Sequence, residues 1–126
     1  MNMFLKYFFS FLLGGNIYCI IELLYRSRTH YSMFFCSGLA LIILLYIYQG
    51  NKNISPLLFG LTASAVITSL EFVFGVVFNI MLKENVWDYS NTPLNILGQI
   101  CLPFSVIWFF FGILIYCLFK NLSFFA

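Results

Sequence analysis

Four apolar runs divide the chain, each of spanning length and separated from the next by a short polar stretch. At about 1.5 Å of rise per residue, a helix of some 20 residues crosses a hydrocarbon core of about 30 Å. The runs predict helices over residues 3–25, 32–49, 56–82 and 96–119, with an interfacial loop at 83–95. Pro56 suits the first turn of the third helix, where its missing N–H is no loss. Small and polar positions recur at helical spacing inside the runs: Ser32, Cys36 and Ala40 in the second, Gly60, Ser64, Thr68, Glu71, Gly75 and Asn79 in the third. The fourth carries Gly98, Cys101, Ser105, Trp108, Gly112 and Tyr116 in the same way. Such faces let helix backbones approach closely and are expected to pack on protein rather than lipid. Pro103, placed inside the fourth helix, should kink it and release the Gln99 carbonyl. The pattern predicts an all-α membrane protein: a four-transmembrane-helix bundle, helix 4 kinked at Pro103, forming one integral membrane domain over residues 1–126.

Composition sharpens this picture. The chain is 63% hydrophobic and 8% charged, too little polar surface to cover a water-soluble globule of 126 residues. The bilayer is therefore its solvent. A net charge of +2 is small and scattered, which excludes a nucleic-acid partner. Four cysteines in apolar segments without CxxC spacing, and a single histidine, point to no metal site and no cofactor. The first run is read as a spanning helix and not as a leader, because it is long for one and ends in Arg26 and Arg28. Four spans put both termini on one side. Lys6, Lys52 and Lys120 on that side balance Arg26, Arg28 and Lys83 on the other, so basic residues alone do not orient the chain. If the arginine pair is held in a site, the terminal side is cytoplasmic.

Ionisable and amide groups in apolar segments are costly unless partnered, which makes each one a functional candidate. Glu22 and Arg26 are one helical turn apart, in the order that suits an ion pair, and Arg28 and His30 follow at once. Glu71 is expected near mid-bilayer on the third helix, with Asn79 on the same face. The following segment holds Trp87, Asp88, Tyr89 and Ser90, then Asn95 and Gln99. These twelve residues are the expected pocket, with Gly75 giving the Gln99 level clearance and the basic first loop supplying a counter-charge for Asp88. The same groups could instead form a network that only locks helices together.

Three stretches resemble a known family: residues 22–33 (Glu-Leu-Leu-Tyr-Arg-Ser-Arg-Thr-His-Tyr-Ser-Met), residues 71–75 (Glu-Phe-Val-Phe-Gly), and residues 85–101 with their Trp-Asp-Tyr-Ser and Pro-Leu-Asn-Ile-Leu-Gly-Gln-Ile-Cys motifs. Together they are similar to the CmpB-like family of small bacterial membrane proteins, labelled ABC-transporter permeases of type IV. Ser27 departs from the glycine expected between the two arginines. The resemblance implies a multi-pass protein of the cell membrane, and the permease label is the family's title. The chain itself has no Walker A motif, so any ATPase would be a separate subunit.

Three functions fit the residues. The favoured one is a permease-like or substrate-binding subunit with a polar pocket open to one membrane face, working as a homo-oligomer or with another membrane subunit. The second is an intramembrane enzyme acting on a lipid or isoprenoid head group, with His30 as acid–base and Glu22, Glu71 or Asp88 beside it. No nucleophile stands at a recognisable spacing from a base, so no catalytic residue is assigned. The third is a structural membrane partner.

Overall fold

The first three helices each begin where a side chain can satisfy the first exposed amides. A computed structural model describes residues 2–126. Helix α1 (Met3–Arg26) is capped by Asn2, whose side chain accepts from Leu5 N at 2.8 Å. Helix α2 (Tyr31–Gly50) is capped by His30, and α3 (Pro56–Gly75) by Ser55 with Pro56 at its start. Helix α3 runs on into a π-helical extension, Val76–Met81. A two-residue hairpin follows, β1 (Asn95–Ile96) against β2 (Ile100–Cys101), and then α4 (Leu102–Asn121) and a 3₁₀ turn at Ser123–Phe125. All four helices are long and apolar enough to cross a membrane.

The chain forms two compact units, residues 1–52 with 118–126, and residues 53–117. In the first, α1 and α2 are antiparallel. A Cβ on Gly15 would lie 2.7 Å from the Phe34 ring, so the α1 backbone sits directly on α2. The C-terminal turn closes this unit: Phe125 packs on Phe119, and Lys6 Nζ donates to the Ala126 carbonyl at 2.5 Å. In the second unit α3 and α4 are antiparallel. Ser64 Oγ donates to the Ser105 carbonyl at 2.7 Å, and the Thr68 and Ser105 hydroxyls are 2.8 Å apart.

Two expectations change. Residues 96–101 are not helical, and α4 begins at Leu102. Asn95 Oδ1 accepts from Gly98 N at 3.0 Å, closing a turn that competes with the helix. Pro103 thus occupies the first turn of α4, where it costs no hydrogen bond, and the expected kink does not arise. Glu71 lies ten residues, about 15 Å of rise, from the Met81 end of the Pro56–Met81 span, and its carboxyl meets Trp108, six residues into α4.

Ser27 ends α1 with a left-handed φ of 61°, its N–H bonded to Leu23 O. This is the position where glycine was expected, and an L side chain there costs roughly 1–2 kcal/mol. Ser27→Gly should raise stability by about 1 kcal/mol, the remainder being lost to glycine's greater freedom in the unfolded chain. Thermal unfolding in detergent reads this directly, and unchanged or lowered stability would contradict it.

Candidate functional site

The second unit gathers its polar groups around the open end of α3. Glu71, 3% exposed, accepts from Trp108 Nε1 on one carboxyl oxygen and from the Tyr89 hydroxyl on the other, each at 2.8 Å. One donor comes from α4 and one from the loop, so the carboxyl joins three chain segments. The Tyr89 ring stacks on Phe104 with centroids 4.8 Å apart, and Phe104 in turn contacts Trp108. Apolar rings therefore wall a carboxyl whose two hydrogen bonds both come from neutral donors.

One layer further out, Asn79 and Gln99 tie the π-helical extension to the loop. Asn79 Nδ2 donates to Gln99 Oε1 at 2.8 Å, while Asn79 Oδ1 accepts from Val86 N at 2.7 Å. Gln99 Nε2 donates to the Leu97 carbonyl, and the Gln99 carbonyl accepts from Trp87 Nε1 at 2.9 Å. Every polar atom of that amide side chain is thereby engaged, as burial at 6% exposure requires. Gly75 makes the approach possible: a Cβ there would lie 2.6 Å from Gln99 Oε1 and 3.1 Å from Trp87 Cζ2.

The loop itself is braced by short-range bonds. Tyr89 N donates to Gly98 O at 2.7 Å, Asn95 Nδ2 donates to the carbonyls of Ser90 and Thr92, and Thr92 Oγ1 donates to Tyr89 O. Gly98 has φ +72°, and a Cβ there would also come within 3.0 Å of Asp88 Oδ1, so glycine is needed twice over. Asp88 Oδ1 accepts from Ser90 N at 2.9 Å, and this bond with the Ser90 side chain holds the exposed carboxyl below the usual aspartate range.

The remaining expected residues lie in the first unit. Glu22, buried in α1, pairs with Arg26 at 3.3 Å and accepts from Thr29 Oγ1 at 2.6 Å. His30 Nδ1 accepts from Ser32 N at 3.1 Å and lies 2.7 Å from Ser32 Oγ, which makes it the cap of α2. Arg28 is exposed on the same connection. Within their own units, Glu71, Tyr89, Asn79, Gln99 and Trp87 come together, as do Glu22 and Arg26. Asp88, Ser90 and Asn95 shape the loop and do not touch Glu71. Trp108 and Thr29 were missing from the expected site. Trp108 already stood on the polar face of the fourth run, and its donor-only indole was the available signal. Among the described residues no three His, Cys, Asp or Glu side chains converge as a metal site would require.

Gly75→Ala should push Gln99 out of place and lower stability by about 1–3 kcal/mol, the usual cost of overpacking. Hydrogen exchange at residues 86 and 99 would rise with it, and an unperturbed variant would refute the clearance role. For Asp88, a lowered folded pKa means that its contribution is present above the ordinary aspartate value of about 3.9 and is lost as pH falls through the lower folded value. Acid-induced loosening of the loop, followed by Trp87 fluorescence between pH 5 and 2, should be weaker in Asp88→Asn. An identical acid profile would contradict the Ser90 contact.

A family profile described as "Putative ABC-transporter type IV", the CmpB group, matches residues 3–124. No curated protein and no solved structure matches the chain significantly. With nearly its whole length matched, and with four helices fit to cross a membrane, this chain belongs to the CmpB family, described as "Putative ABC-transporter type IV".

Proposed function

We propose that the chain is a permease-like, membrane-embedded subunit that receives a small ligand at the Glu71 end of α3, from one face of the membrane. The observation that carries this reading is the Glu71 carboxyl itself, buried on a spanning helix yet bonded only to the neutral donors Tyr89 and Trp108. A carboxylate without a charged partner in an apolar wall costs free energy that a cationic or multiply donating ligand would recover. Tyr89 belongs to a loop, so its hydroxyl is the donor a ligand can displace. The position of Glu71 near the start of α4 supports access from the side on which residues 83–101 lie. Gln99 and Asn79 would then hold the loop while Tyr89 moves.

Membership of an ABC-transporter-type family supports partnership with another membrane subunit and with a separate ATPase. In this reading the whole of residues 1–126 acts as one membrane domain, both termini are cytoplasmic, and Glu22, Arg26, Arg28 and His30 form a second polar cluster in the first unit. The enzyme reading gains little, since His30 Nδ1 is occupied as a helix cap. A structural role has one observation in its favour: both Glu71 oxygens are already bonded.

The two readings separate in native-lipid nanodiscs. A permease-like subunit should retain a small molecule or an ATP-binding subunit detectable by mass spectrometry. The small molecule should fall at least about ten-fold in Glu71→Gln, the loss of one good charged contact, while the folded yield is kept. A chain that retains neither, or a small molecule held equally by wild type and Glu71→Gln, would overturn the proposal in favour of the structural role.

A further inference from the structure

Asn16 lies thirteen residues after the start of α1 at Met3 and ten before its end at Arg26. These are about 20 Å and about 15 Å of helix rise, so its amide falls deep in the hydrocarbon however the helix is seated. The residue is nevertheless exposed. Its Nδ2 donates to the Leu12 carbonyl of its own helix at 2.8 Å, which uses one of two N–H groups and leaves the Oδ1 acceptor without a hydrogen bond among the described residues. The hydroxyls of Thr62 and Ser69, on α3, do not share this difficulty. Each has a single donor, and each gives it to the carbonyl one turn back, Leu58 O and Ala65 O. An amide cannot be satisfied that way, because the helix has no spare donor for its oxygen.

The surroundings of Asn16 make a ridge. Leu13, Ile17, Ile20 and Leu24 share its face at helical spacing and all are exposed. The opposite face, through Phe11 and Gly15, is the one already used against α2. We propose that the Asn16 ridge is the docking surface for a second copy of this chain, α1 against α1, with the two Asn16 amides hydrogen-bonded to each other. The amide is self-complementary: its unused N–H of one copy answers the unused oxygen of the other. Two copies inserted in the same orientation and related by a two-fold axis along the membrane normal bring identical α1 positions face to face. The apolar neighbours then pack above and below the polar contact, which fixes register as a single asparagine does in a coiled coil.

Single cysteines at Leu13 or Ile20, in the full chain with its native cysteines replaced, test this by oxidation in native membranes. Disulfide-linked dimers are expected at both positions, well above a cysteine at the exposed Leu61 of α3 as a collision control. Energy transfer between labelled copies in liposomes should show association weakened roughly three- to thirty-fold by Asn16→Leu. Asn16→Gln, which keeps an amide, should retain most of it, and this separates loss of the contact from loss of folding. Cross-linking no greater than at Leu61, or undiminished association of Asn16→Leu, would overturn the proposal.

Discussion

The second unit depends on one constraint: a carboxyl in an apolar wall must have its lone pairs occupied. Glu71 meets it with an indole from α4 and a phenol from the loop, and the geometry of both donors follows. Trp108 must sit early in α4, so the helix must start near Leu102. Tyr89 must reach inward, so the loop must fold back over the helix ends instead of trailing into water. The stacking of Tyr89 on Phe104 and the indole of Trp87 on the Gln99 carbonyl hold that return path. Each is a polar group or ring placed where hydrocarbon would otherwise leave a donor or acceptor bare.

The first unit solves a similar problem with charge. Glu22 is buried, but Arg26 stands a turn away and Thr29 adds a hydroxyl, so ion pair and hydrogen bond share one carboxyl. The left-handed Ser27 turns the chain between them and brings Thr29 back to the helix it has just left. Here the two carboxyls of the spanning helices differ in kind. Glu22 is matched by a cation, and Glu71 by neutral donors alone.

Much of this was legible in residue spacing. The helices could be read because apolar runs of spanning length admit few other structures in lipid, and the small-polar face of α3 because it repeats every turn. The Glu22–Arg26 pair was visible as a helical spacing. The stretch from Asn95 to Cys101 was not, because its apolar residues continue the hydropathy of the helix behind it. Asn95 and Gly98 carried the turn signal, and Pro103 marked a helix start that hydropathy placed six residues too early. The π-helical extension left no sign, since valine, phenylalanine and isoleucine suit either winding.

That extension sets a counting rule on the chain. A π turn accommodates one residue more than an α turn does, and in an α-helix each residue advances the side-chain direction by about 100°. Asn79 therefore faces Val86 and Gln99 only because the winding changes after Gly75. Remove one residue between Val76 and Asn79 and the amide swings away from the loop, with every apolar residue still apolar. Hydropathy would record no change. Substitution by another apolar side chain is cheap at the five apolar positions around Asn79, whereas insertion or deletion is not, so apart from Asn79 it is the number of residues here, more than their identity, that carries information.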